Sequence, residues 1–161
     1  MAVSHPSPTT PLHPAPAASW RTASSATLHC LTGCAIGEVL GLVLATWWGW
    51  PDAPSIALAV ALAFVFGYAL TMRPVLRAGI SFRDAVKVAL AADTLSILTM
   101  EIVDNAILLA VPGAMAAGLL SGLFWGSLAV ALAIAFVVTV PVNRALITRG
   151  KGHAVVHQYH H

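Results

Sequence analysis

The sequence predicts an all-α integral membrane protein: four transmembrane helices, arranged as two hairpins, with both termini in the cytoplasm. Three observations predict it. First, 58% of the 161 residues are apolar and 9% are charged, with a mean hydropathy of +0.84. Soluble domains carry about 45–50% apolar and about 25% charged residues. A soluble chain this short has too much surface and too small a core to hide that apolar content. An ordinary cytosolic enzyme is therefore excluded, as is disorder over most of the chain. Second, four apolar stretches, at about 30–50, 54–72, 86–111 and 115–142, approach or exceed the length needed to cross a bilayer. About 20 helical residues, rising 1.5 Å each, span a hydrocarbon core of about 30 Å. Third, all eight basic residues (Arg21, Arg73, Arg77, Arg83, Lys87, Arg144, Arg149 and Lys151) fall in segments that one orientation places inside. Cytoplasmic loops are the ones that carry such an excess, so both termini are assigned to the cytoplasm of a bacterial inner membrane. The small net charge of +2 says little about partners, and nucleic acid is not expected as one.

The chain divides accordingly. Residues 1–26 are rich in Pro, Ala, Ser and Thr and read as a disordered tail. They lack the basic start and apolar run of a signal peptide. A transmembrane domain follows over 27–147, and residues 148–161 form a His-rich cytoplasmic tail. Helix 1 closes at a cluster of Trp47, Trp48 and Trp50, which suits an interfacial aromatic belt. Trp50-Pro51-Asp52-Ala53-Pro54 turns the chain into helix 2, and the second hairpin is expected to turn tightly at Val111-Pro112-Gly113. Between the hairpins the chain reverses from Arg73-Pro74 to Asp84 on the inner side.

Acids appear where lipid is expected. Four of the six fall inside predicted spans: Glu38 in helix 1, with Asp93, Glu101 and Asp104 in helix 3. An Asp at the centre of a span costs about 2.5–3.5 kcal/mol on an insertion scale, so such groups face a protein interior or a wet cavity. They serve either as polar glue between helices or as an ion or proton site, and their concentration on one helix favours the second. At 100° per residue, Asp93, Met100 and Asp104 lie within about 40° of one another, with Glu101 and Asn105 flanking. If helices 1 and 3 start at similar depths, Glu38 falls within a turn of Asp93 to Met100.

Helix 1 carries His29-Cys30-Leu31-Thr32-Gly33-Cys34-Ala35-Ile36-Gly37-Glu38, with the only two cysteines of the chain. Their i, i+4 spacing puts both thiols on one face, and Glu38 continues it one turn deeper. Two thiolates there suit one soft ion, with His29 as an added imidazole. The plainer reading of either cysteine is a small buried hydrophobe. Met72, at about the depth of Cys30, is a further thioether for a copper(I)-type set, or simply filler. Gly33, Gly37 and Gly41 form a doubled G-x-x-x-G, whose expected role is close helix packing, within the bundle or between protomers. At the C-terminus, His153, His157, His160 and His161 have the spacing and composition of a metal-capturing tail or of a plain interfacial one.

The H-C-x-x-G-C-x-x-G-E run, the D-x-x-x-x-x-x-M-E-x-x-D-N run of helix 3 and the G-K-G-H-A-V-V-H ending resemble an uncharacterised bacterial family of four-helix integral membrane proteins, a domain of unknown function. The resemblance covers about residues 28–161. It singles out His29, Cys30, Cys34, Glu38, Asp93, Met100, Glu101, Asp104, Asn105, His153 and His157, and it suggests an association with copper handling.

Three functions follow as expectations. The first is a protein that binds or transports a transition-metal ion, copper before zinc, nickel or iron, in a homo-oligomer embedded in the bilayer. Its soft ligands gather inside and its carboxylates line the way out. The second is a proton-coupled carrier or channel using Glu38, Asp93, Glu101 and Asp104 without metal. The third is an accessory or assembly subunit mating with another membrane protein. An enzyme is not expected, because no Ser/His/Asp set, phosphate loop or nucleotide fingerprint appears. The E-x-x-H pairs of di-iron bundles and the C-x-x-C-H haem attachment are missing as well.

Overall fold

The computed structural model describes residues 19–114 and 117–149. Four helices make up almost all of it: α1 (Trp20–Trp47), α2 (Asp52–Arg77), α3 (Phe82–Ala110) and α4 (Gly122–Thr148). Their starts follow local chemistry. The side chains of Ser19, Ser81 and Ser121 accept from the backbone N–H groups of Thr22, Asp84 and Leu123, satisfying donors that a helix N-terminus leaves open. Pro51 precedes α2, and Asp52 in its first turn suits the positive end of the helix dipole. The turns after α1 and α2 run through Gly49 (φ +67°) and Gly79 (φ +82°), a left-handed conformation that glycine adopts without steric cost.

The four expected helices are present, with shifted ends. α1 begins at Trp20, so residues 20–26, expected in the tail, are helical. The Ser19 cap and the stacking of Arg144 over the Trp20 ring, 4.4 Å from its centroid, hold that first turn. α2 passes through Pro74 to Arg77. The second hairpin does not turn tightly at Val111-Pro112-Gly113. Its connection runs from 111 to 121, and the apolar residues Ala117 and Leu119 pack over the end of the bundle instead of starting α4. Apolarity drew the expected start of this helix back to 115; Gly118 (φ +68°) and the Ser121 cap place it at 122.

Each helix runs antiparallel to the next, with α1 packed along α2, α3 along α4, and α1 also touching α3 across the bundle. Gly33, Gly37 and Gly41 lie against Gly67, Ala63 and Ala59 of α2. The doubled G-x-x-x-G is thus spent inside the protomer, where a Cβ at Gly33 would stand 2.7 Å from the Gly67 Cα. Three apolar clusters follow one another along the bundle. Val75 and Ala85, with Met72, Ile80 and Val88, close the end where α2 meets α3. Cys30, Cys34, Ala63, Ile97, Met100 and Ala135 fill the middle. Leu42, Ala59, Leu108, Phe124, Leu128 and Ala131 fill the far end.

Much of the outside is apolar, with Leu28, Val65, Leu95, Ile102, Leu109 and Val137 all exposed. In water such a surface is an aggregation hazard; in a bilayer it is the solvent-facing side. α1, α2 and α4 are long and apolar enough to cross a membrane. α3 is the longest, at 29 residues, and it differs by carrying three of the four buried acids.

Candidate functional site

The site lies where α1 and α3 face each other. On α1, Thr27, Cys30, Cys34 and Glu38 are buried; on α3, Asp93, Ser96, Met100, Glu101 and Asp104 are. These are the faces that the helical spacing predicted, and they produce three layers of different chemistry.

The middle layer is sulfur. Cys30 and Cys34 are free thiols on successive turns, side by side and buried, and Met100 joins them from α3 in the same cluster. The acid layer comes next towards the far end. Glu101 faces Cys34, and the carboxyl of Glu38 faces that of Asp104. Glu38 and Asp104 are each 2% exposed, and neither oxygen of Asp104 meets a hydrogen-bond donor among the described residues. Asn105 steadies Glu101 from one turn on: its Nδ2 donates to the Glu101 carbonyl (2.9 Å) and reaches Oε2 (3.5 Å). Two carboxyl groups set face to face out of water need a proton or a cation between them, since two bare charges there repel with no solvent to screen them.

The third layer, towards the basic end, is one the sequence did not disclose. Asn143 of α4 donates through Nδ2 to Thr27 Oγ1 of α1 (2.8 Å), and Ser96 of α3 donates to Asn143 Oδ1. Thr27 in turn donates to the Ala23 carbonyl (2.8 Å). Asn143 ties three helices, yet it lies just past the expected end of the fourth span at 142 and so reads from sequence as a loop residue. An Asn, Thr and Ser at depths that match across helices was the signal. Matching them requires correct helix starts. Asp93, 1% exposed, lies one turn nearer the basic end than Ser96.

Glu38 lies opposite Asp104, one turn past Met100, within the depth expected for it. Other expected ligands stand elsewhere. Met72 packs with Val75 and Ala85, so it adds no thioether to the cysteine layer, a place taken by Met100. His29 is half-buried, about 100° around α1 from Cys30. Among the described residues, no three side chains of His, Cys, Asp or Glu converge as a preformed metal-ligand set. His153, His157, His160 and His161 lie outside the described residues.

At the far end a cavity of about 330 Å³ opens between the two connections, lined by Thr46, Trp50, Asp52, Ser55, Leu119 and Phe124, among others. The apolar cluster of Leu42, Leu108, Phe124 and Leu128 separates it from the acid layer. Towards the other end of the bundle lie all the described basic residues, from Arg21 on α1 to Arg149 after α4.

A four-helix, all-α membrane fold with a buried line of thiols, carboxyls and amides defines the class of this protein. The chain belongs to the family described as a domain of unknown function, DUF4396, whose model matches residues 19–152. Neither the curated proteins nor the solved structures contain a match to it.

Proposed function

We propose that this protein takes up a transition-metal ion, copper(I) before zinc, nickel or iron, and passes it through the bacterial cytoplasmic membrane along α1 and α3. One observation carries the reading: Cys30, Cys34 and Met100, the soft donors of two helices, share one buried cluster, and a carboxyl layer begins one turn further on. Two thiolates with a thioether suit copper(I), whereas hard cations prefer oxygen. Pairs of ligands in series suit passage better than one closed cage, because an ion that is to leave must be held at several modest sites. The absence of a three-ligand set of His, Cys, Asp and Glu among the described residues fits cargo in transit better than a resident ion. The termini lie inside, on the side of the basic residues, and the protein works as a homo-oligomer.

The test is metal bound by detergent-purified protein after loading with copper(I) under reducing conditions. About one ion per chain is expected from the donor set, lost in Cys30→Ser with Cys34→Ser and weakened in Met100→Leu. Copper at background level, or retained unchanged by the double serine variant, overturns the reading.

A second reading has its own observation. Glu38 and Asp104 face each other with no donor to Asp104, so a proton held between them is the simplest occupant. A proton-coupled carrier then needs the acids and not the thiols. Proton flux into liposomes that survives the double serine variant and is lost in Glu38→Gln supports this reading over copper passage.

A further inference from the structure

We propose that Arg73 and Arg77, on the outward face of α2, bind the headgroup of one anionic phospholipid in the leaflet at the basic end. The helix places both side chains at the right depth. Trp48 and Trp50, exposed just before α2, mark the far boundary of the hydrocarbon. From Asp52, the first residue of α2, to Arg73 the helix rises about 31 Å, and a hydrocarbon core is about 30 Å thick. Arg73 therefore stands at the second boundary. Arg77, one turn and about 6 Å further out, reaches the level of the lipid phosphates.

Both arginines are exposed on successive turns of the same side of α2. Neither makes an ion pair among the described residues. The six acids of the chain leave them no counter-charge. Ser81 and Lys87 hold Asp84, Asp93 is buried inside the bundle, and the other four lie deeper or at the far end. A guanidinium fork matches a phosphate with two parallel hydrogen bonds, so an anionic headgroup supplies what the protein does not. Orientation in the membrane needs basic residues around the α2–α3 turn, and Arg77, Arg83 and Lys87 provide them. Arg73 adds nothing to that signal, since it stands a full turn inside the helix with its stem on the lipid-facing side. Further into the membrane, Ala69, Val65, Ala61 and Ala57 are exposed at every fourth position. These short side chains leave a low, smooth face along which an acyl chain can lie. A second copy of the chain packed there about a two-fold axis brings each arginine pair against its counterpart, which like charge disfavours.

The site uses neither the thiols nor the buried carboxyls, so its test is independent of copper. The full chain is purified in detergent, and phosphatidylglycerol or phosphatidylcholine is added. Native mass spectrometry counts the bound lipid, and thermal unfolding is followed in parallel. About one phosphatidylglycerol per chain, held in preference to phosphatidylcholine, is expected with a saturable rise in unfolding temperature. Arg73→Gln with Arg77→Gln weakens phosphatidylglycerol binding by about thirty-fold, at about five-fold for each basic residue near an anionic surface. Its unfolding temperature in phosphatidylcholine stays that of the wild type, because neither side chain is buried in the bundle. Arg83→Gln with Arg149→Gln removes the same charge from the same end and keeps the lipid preference. Equal binding of the two lipids by the wild type overturns the proposal, as does wild-type affinity in the variant at 73 and 77. An equal loss in the variant at 83 and 149 also overturns it, and makes the basic end a diffuse collar. The same rise with inorganic phosphate alone assigns the arginines to a soluble anion and overturns the lipid.

Discussion

Gly37 has no room for a methyl group: a Cβ there would run into the backbone of Leu62 and Ala63. Gly126, on α4, has nothing near its would-be Cβ. The two glycines therefore respond oppositely to the same change. Gly37→Ala must push α1 away from α2 and costs about 1–3 kcal/mol of overpacking. Gly126→Ala gains up to about 1 kcal/mol of helix propensity. Thermal unfolding in detergent reads both, and equal shifts in the two variants contradict the packing described here. Glu38 makes a second case at this scale. Glu38→Gln gives Asp104 an amide donor in place of a shared proton or ion, so the bundle stays folded. Glu38→Leu leaves the Asp104 carboxyl buried beside a hydrocarbon and destabilises the protein by about 3–5 kcal/mol, the usual result of removing one partner of a buried pair. Comparison of folded yield and unfolding temperature separates them, and leucine tolerated as well as glutamine removes the pairing from the account.

At the scale of the element, the start of α3 shows how short-range chemistry fixes a helix that acids would otherwise weaken. Ser81 accepts from the Asp84 backbone (3.3 Å) and donates to its carboxylate (2.8 Å), and Lys87 reaches the same carboxylate at 3.1 Å. These bonds, Ser81 first and Lys87 second, hold the Asp84 carboxyl below its ordinary range, in an exposed turn before the apolar stretch begins. The cap contribution is thus fully present above the usual aspartate range and fades as pH falls through the lowered value. Ser81→Ala costs about 1 kcal/mol of helix stability. It also moves the Asp84 titration up towards the ordinary value, which carbon-detected NMR follows. An unmoved titration removes Ser81 from the cap. Such caps explain which parts of the fold were legible. The four helices were legible as apolar length, and the inward face of α3 as the spacing of Asp93, Met100 and Asp104. The starts of α1 and α4 were not, because Ser19 and Ser121 set them, and apolar runs such as 115–121 look alike in a helix and in a folded connection. The sulfur and acid layers were half legible. The i, i+4 cysteines and Glu38 share a face on any helix, but their opposite numbers depend on depth, which apolar runs with unseen caps fix only to about a turn. Asn143 was missed for the same reason.

At the scale of the whole molecule, sidedness is what gives a line of buried ligands a direction. The antiparallel order brings the start of α1, the α2–α3 turn at Gly79 and the end of α4 to one end, and every described basic residue lies towards it. The α1–α2 turn at Gly49 and the connection around Gly118 share the opposite end with the cavity beside Asp52. Moving a Lys or Arg across a bilayer is costly, and short basic loops stay on the cytoplasmic side. On the proposed reading the basic end faces the cytoplasm. In that proposal the order from the basic end is the amide and hydroxyl layer, the thiols, the acids, and last the apolar cluster around Phe124 before the far-end cavity. Single cysteines placed at 49, 79 and 118 in a chain lacking Cys30 and Cys34 test this in intact cells. Gly49 and Gly118 sit in open turns with nothing close by, so a side chain there is tolerated sterically although its left-handed backbone is strained. A membrane-impermeant maleimide is expected to label positions 49 and 118 without lysis and position 79 only after it. The reverse pattern turns the molecule over and makes the acids the entry and the thiols the exit. Labelling of all three positions in intact cells contradicts the bundle order itself, because a single crossing, α2 on one side and α3 on the other, separates the Gly79 turn from each of the other two.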